Sequence, residues 1–409
     1  MTEGGMQTAS LPGLLVVAST YPRWEGDTEP GFVHALSRHL TGDFRVTVLC
    51  PHAPGAATQE KLDGVQVIRY RYAPEGMEQL VNGGGITSNL RRRPWMLALL
   101  PTFLLCQWWA LQRELRRNRH EVMHAHWIIP QGLTSALLPR RLRPPMLITS
   151  HGGDLFSLKG RLLSAVKRFS LARAQAASVV SQAMVAPFRA LAANLPLAVS
   201  PMGVDLQHRF VPSPVKRAHN ELLFVGRLVE KKGLTYLIDA LPLVLARHSQ
   251  VFLTIIGHGP ELPEREAQVA ALGLQKHVRF VGPVTQNALP AYYQRATTLV
   301  APFVEARNGD QEGLGLVTVE ALGCGCPVVT TDVPAVRDAF PAGPPRYLAT
   351  QRSSASLASV LIELLSAPEQ AQAWAHAQRP GLVARFDHSQ VAADYAKQLR
   401  AIMEPQNVR

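Results

Sequence analysis

Cysteine is scarce. The 409-residue chain has four, Cys50, Cys106, Cys324 and Cys326. Their number and spread exclude a disulfide framework and suit a reducing compartment. Cys324 and Cys326 stand too close together for a zinc pair and lack partner ligands at finger spacing. Small side chains buried at a tight helix–strand junction explain that pair better. Long apolar runs are also missing: none reaches the ~18 residues of a spanning helix. The first ten residues are polar and small, and the apolar stretch 11–18 is too short for a signal peptide, so a cytoplasmic location is expected. Zinc-finger spacing, ribonucleoprotein motifs and basic–aromatic interleaving are absent, which argues against a nucleic-acid partner.

Acidic residues are the minority, 30 Asp and Glu against 42 Lys and Arg, for a net charge of +12. The excess is concentrated. Residues 1–200 hold 22 basic and 12 acidic side chains (+10), the remainder 20 and 18 (+2). A basic front half attracts phosphate-bearing partners, among them diphosphate ligands and anionic lipid. With 47% hydrophobic and 18% charged residues the composition is that of a globular protein. Its length asks for two or three domains at roughly 150 residues each.

Short apolar runs alternate with helical periodicity. The pattern predicts strands at 14–18, 45–49, 65–68, 122–125, 146–149 and 177–180, with a helix over 31–40. A Pro-containing polar stretch, 211–220, follows, and the alternation restarts. Strands are expected at 221–225, 251–256, 278–281, 298–301 and 327–330, and helices at 234–246, 290–296 and 316–323. Such alternation implies an α/β fold of two doubly wound, Rossmann-like units with parallel sheets. Ligands bind beyond the carboxyl ends of such strands, so the cleft between the units is where chemistry is expected. The expected division is 1–205 and 206–387, followed by an amphipathic helix at 388–403.

The second unit carries the sharpest motif. A strand ends in Gly226, then Arg227, and Lys232 follows on the same loop. A guanidinium fork and an ammonium point charge beside a small residue suit a diphosphate, although two solvated cations on a turn would read the same. Glu312 and Glu320 lie eight residues apart with Gly313, Leu314 and Gly315 between them and a helical pattern after. Glycines before a helix leave backbone N–H groups open to an anion. Either Glu312 caps that helix and Glu320 is solvated, or both accept hydrogen bonds from sugar hydroxyls.

The first unit supplies the opposite wall. His151 follows a strand, and a neutral imidazole there can take or give a proton. Asp154 is placed either to cap the next segment or to touch substrate. His124 and His126 share one strand face, as a metal pair would, but no third ligand accompanies them; His126 and Trp127 read as acceptor contacts or, better, as structural residues. Gly26 and Gly31 flank the loop between the first strand and the first helix, where Gly31 can open the helix toward the cleft. Residues 91–117 form a tract in which arginines flank a Leu- and Trp-rich stretch. It reads either as a helix covering the sheet or as a surface for an anionic membrane.

These motifs resemble glycosyltransferase family 4, of the GT-B architecture. The resemblance rests on Gly226-Arg227 with Lys232-Gly233, on the Glu312/Glu320 spacing, and on their order. Tyr21 to Asp27, His124 to Trp127, Pro130 to Gly132 and His151 to Asp154 are similar to the bacterial transferases that build teichuronic-acid-type and exopolysaccharide chains. The resemblance implies that Arg227 and Lys232 hold the donor diphosphate, with Gly313, Leu314 and Gly315. It implies that Glu312 holds the sugar, Glu320 the ribose, and that His151 lies beside the transferring sugar. It further implies that the last helix crosses back onto the first unit. Retention of configuration without a cofactor or metal is implied too, with a nucleotide diphosphate sugar as donor (UDP favoured over GDP) and a glycan or lipid-linked acceptor. One departure stands out. Relatives carry a Gly-Gly pair in the first loop, where this chain has Gly26-Asp27. A nucleotide-sugar epimerase of the same fold and a non-catalytic sugar-binding protein are the alternative functions.

Overall fold

The computed structural model describes residues 11–27, 31–83, 85–214 and 216–404. The polar leader, residues 28–30 of the first loop and residue 215 of the linker lie outside the described residues. The first unit is built on β1 (Gly13–Val17), β2 (Arg45–Pro51), β3 (Gln59–Leu62), β4 (Val65–Tyr70), β5 (Val122–His126), β6 (Met146–Ser150), β7 (Ala176–Val179) and β8 (Leu197–Val199). They form one sheet in the order β3-β4-β2-β1-β5-β6-β7-β8. All pairs are parallel except β3 with β4.

The second unit uses β9 (Glu221–Val225), β10 (Phe252–Ile256), β11 (Val278–Gly282), β12 (Thr298–Ala301), β13 (Val328–Thr331) and β14 (Tyr347–Ala349). Its order is β11-β10-β9-β12-β13-β14, all parallel. Counted within the unit this is 3-2-1-4-5-6, the doubly wound order. The central strands β1, β5, β6 and β9 are buried along their whole length. Helices cover both faces of a parallel sheet, so such strands have no polar side to show.

Strand order reverses between β1 and β5 in one sheet and between β9 and β12 in the other. At these two points the loops leave in opposite directions and open a crevice. The loops bearing Gly31, His151, Arg227 and Glu312 leave strands at or next to these points.

The chain crosses between units twice. Val204 bridges to Asp387, whose carboxylate accepts from Leu206 N at 3.2 Å and from Ser389 N at 3.0 Å, capping the helix His388–Met403. Arg379 donates to the carbonyls of Leu206, Phe210 and Gly323 at 2.6, 3.2 and 2.6 Å. The last helix packs on the helix Phe32–His39 and on β5 and β6, and Tyr395 donates to the Ser200 carbonyl at 2.9 Å.

The stretch Pro94–Arg117 is long and apolar enough, by length and composition, to cross a membrane. No uninterrupted apolar run reaches that length; the stretch qualifies because the polar residues scattered through it leave its mean hydropathy high. In the structure Leu99, Phe103 and Leu111 of its helix Leu99–Arg117 are buried, and the helix lies on β2 and β4. Leu105 (60% exposed) and Trp109 (71%) face outward.

Candidate active site

β9 delivers Gly226 and Arg227 to the crevice. Gly233 ends that loop in the left-handed region at φ 66°, with the Pro302 carbonyl standing where a Cβ would be, so no other residue fits. That tight seat brings the preceding Lys232 over the Phe303 ring at 4.7 Å and against Glu312 at 2.8 Å. Arg227 reaches the other way. Its Nη2 donates to Ser88 Oγ of the first unit at 3.0 Å. Ser88 carries no sequence signal for this part.

Glu312 is held ionised. Burial pushes its carboxyl up, but Lys232, Lys231 and the Gly315 N–H outweigh that and hold it at about 2. Gly313, Leu314 and Gly315 are buried between it and the helix Leu316–Gly323. Glu320, about one turn into that helix, is buried and accepts from the Tyr293 hydroxyl at 2.7 Å. Burial raises its carboxyl to about 6 against the Tyr293 bond and Lys232. Tyr293 is 27 positions away in sequence and could not be read as its partner.

The first unit meets this wall directly. A Cβ on Gly313 would lie 2.6 Å from the His151 carbonyl oxygen, and one on Gly152 would lie 3.2 Å from the Gly313 Cα. His151 therefore stands beside the start of the carboxylate motif. Burial, then the His124 charge, lowers its imidazole to about 3, so the ring is neutral near pH 7. Trp127 and Phe32 flank the ring at centroid distances of 4.7 and 5.1 Å.

Two expected acceptor contacts lie elsewhere. His126 is fully buried behind His151, with Nδ1 3.0 Å from its Nε2. Side-chain alternation turns it into the unit rather than toward the crevice. His124, on the same side, pairs with Thr149 Oγ1 at 2.7 Å. Asp154 is also buried and neither caps the next segment nor faces the crevice. It accepts from Ile128 N, Ser150 Oγ and His151 N at 2.7, 2.8 and 3.2 Å, tying the β5 and β6 loops together. Gly31 does open the helix Phe32–His39, whose first residue touches His151. Gly26 sits in an exposed turn, and Asp27 folds back onto the Arg23 backbone and guanidinium at 2.8 and 2.5 Å. Asp27 thus closes the turn 23–27 on itself.

Residues 32–208 match the model of Glycosyltransferase Family 4, and residues 209–380 match that of Glycosyl transferases group 1. The chain belongs to glycosyltransferase family 4. Among its relatives is the phosphatidyl-myo-inositol mannosyltransferase of Mycobacterium leprae, 37% identical over 36% of this chain and 38% of that protein. Another is the D-inositol 3-phosphate glycosyltransferase of Frankia alni, 29% identical over 70% and 75% of the two chains. The chain thus spans little more than a third of the first of these relatives and three quarters of the second. The fold is GT-B. Sucrose-phosphate synthase of Thermosynechococcus elongatus superposes with a TM-score of 0.76 at 20% identity, covering 96% of this chain and 99% of its own. Anabaena HepE in complex with UDP-glucose superposes with a TM-score of 0.70 at 18% identity, covering 95% and 99%.

Proposed function

We propose that this family 4 chain moves a hexose from a nucleotide diphosphate sugar to a glycan or lipid-linked acceptor in bacterial polysaccharide synthesis, with retention of anomeric configuration. The observation that carries the reading is the Lys232–Glu312 pair beside Arg227, set against His151 across the crevice. Breaking the glycosidic bond puts charge on the departing diphosphate. Lys232 and Arg227 stabilise that charge more in the transition state than in the ground state, as do the N–H groups at Gly313 to Gly315. A donor draws Lys232 from Glu312 onto phosphate and releases the ionised carboxylate to accept from the sugar hydroxyls. Held at about 2, Glu312 is no proton donor. The acceptor hydroxyl attacks the face the diphosphate leaves, and a donor phosphate oxygen takes its proton. His151, neutral, borders the sugar. Glu320 accepts from the ribose.

UDP is slightly favoured over GDP as the donor nucleotide; HepE is bound to UDP-glucose, while mycobacterial relatives are named for GDP-mannose. A melting-temperature screen against UDP- and GDP-sugars tests the donor, since ligand at about 100 times its dissociation constant adds ~2.7 kcal/mol. No shift with any of them would end the reading. Radiolabelled donor with membrane extract then separates transfer from epimerisation, which releases a changed donor without acceptor, and from binding alone, which releases nothing.

The exposed Trp95, Leu97, Leu105 and Trp109 lie on the 91–117 tract among its arginines. They support docking at the inner, anionic face of the plasma membrane. Sedimentation with vesicles of phosphatidylglycerol and phosphatidylcholine tests this, and a protein left wholly in the supernatant at low salt refutes it.

A further inference from the structure

A second basic hollow lies beside the donor loop and belongs entirely to the first unit. It is a cavity of about 290 Å³ lined by Arg23, Asn82, Arg92, Arg93 and Met96, with Glu78 at its wall. The acids around it are already engaged. Asp27 holds Arg23, and Glu78 is fully buried against His52 at 2.5 Å and Arg71 at 3.1 Å. Arg92 and Arg93 have no carboxylate partner among the described residues; Arg93 donates to the neutral Gln79 Oε1 at 2.7 Å. The two adjacent guanidiniums therefore give the cavity a positive field that no carboxylate among the described residues pairs with. Planar forks of this kind match phosphate oxygens.

Two further features narrow the ligand. The segment that walls the cavity runs on through Gly83 to Gly85 and Ser88, which touch Arg227: Ser88 Oγ accepts from its Nη2 at 3.0 Å, and a Cβ on Gly85 would lie 3.8 Å from its Nη1. An anion in the cavity thus sits next to the donor loop without using it. Met96 lines the cavity, and the residues on either side of it in sequence, Trp95 (49% exposed) and Leu97 (56%), present apolar surface to solvent. A phosphate with an apolar tail fits both: its charge on Arg92 and Arg93, its chain along Trp95 and Leu97.

We propose that this cavity binds the phosphate of an amphiphilic, phosphate-bearing acceptor. The word acceptor rests on the transferase reading; the binding does not. The test is calorimetric titration of the full chain, saturated with UDP or GDP, with dihexanoyl phosphatidic acid as a monomeric lipid phosphate and glucose 1-phosphate as a soluble one. The lipid phosphate is expected to bind one to one without displacing nucleotide, at least about tenfold more tightly than glucose 1-phosphate. R92Q/R93Q should weaken it by at least about tenfold, R92K/R93K by less, and nucleotide affinity should stay within about twofold. Both side chains are exposed, so the variants keep the fold, and their unchanged melting temperature checks it. Competition with nucleotide, equal affinity for R92Q/R93Q, or glucose 1-phosphate binding as tightly would each overturn the proposal. So would an equal loss in R116Q/R117Q at the far end of the tract, which would mean unspecific charge. If no nucleotide binds at all, the transferase reading fails, and the titration without nucleotide still decides the cavity.

Discussion

Gly313 leans on the main-chain carbonyl of His151. A methyl group placed on it would sit 2.6 Å from that oxygen and 3.3 Å from Val180 Cγ2. The carbonyl is backbone and cannot swing away, so the two walls of the crevice must part to admit a side chain. Gly313→Ala is therefore a mutation of the distance between the units. The donor diphosphate contacts proposed for Arg227, Lys232 and Gly313 to Gly315 lie on one unit and should survive, whereas the proposed position of the sugar against the first unit should not. The expected outcome is a loss of about 100-fold in kcat with nucleotide affinity and melting temperature nearly unchanged, measured by steady-state transfer and calorimetry. Full activity would show that the walls separate during turnover anyway.

Lys232→Ala removes a cation from the expected diphosphate site and leaves Glu312, now held low only by Lys231 and the Gly315 N–H, without its nearest partner. Arg227→Ala removes the second cation and its bond to Ser88. Each should cost about 2–4 kcal/mol in transition-state stabilisation, read as the change in kcat/KM. Transfer at the wild-type rate in both variants would remove the diphosphate assignment.

Glu320 predicts a pH dependence. Its carboxyl lies at about 6, raised by burial from an ordinary 4.5. In its proposed ribose-binding part only the ionised form could accept from two hydroxyls, so nucleotide affinity should fall as pH drops below about 6, and Glu320→Gln should flatten that slope in a calorimetric series. Stability moves the other way. The folded protein binds this proton more tightly than the unfolded chain, so the group's contribution is present below 4.5 and is lost as pH rises through about 6. His151, at about 3, should add no step to the activity profile between about pH 5 and 8.

Sequence periodicity was enough for the fold where strands are central, because a strand buried on both faces has to be apolar throughout, as β1, β5, β6 and β9 are. It was blind to β3, β8 and β14. β3 is a polar edge strand, and the other two are three residues long, too short for a period to show. The site divides the same way. Arg227, Lys232, Glu312 and Glu320 fall within local motifs whose spacing is fixed by a loop or a helix. Tyr293, Ser88 and the inward turn of His126 and Asp154 depend on contacts across the fold. Residue type alone says nothing of which face of a strand looks into the crevice once the partner sheet is unknown.

Asp154 is the test of that distinction. As a substrate contact it would affect KM and leave stability alone. As the tie seen here, it satisfies Ile128 N and His151 N, two backbone donors that no water replaces in a buried site. Asp154→Ala strands both and removes the partner of Ser150 Oγ. Unfolding in urea should show a loss of about 2–3 kcal/mol, with the midpoint shifted and the slope unchanged. Asp154→Asn keeps one acceptor oxygen and should lose about half as much. Because the same carboxylate fixes the loop that carries His151, transfer should fall in both variants in step with stability. A variant that keeps full stability and loses only acceptor affinity would return Asp154 to the crevice.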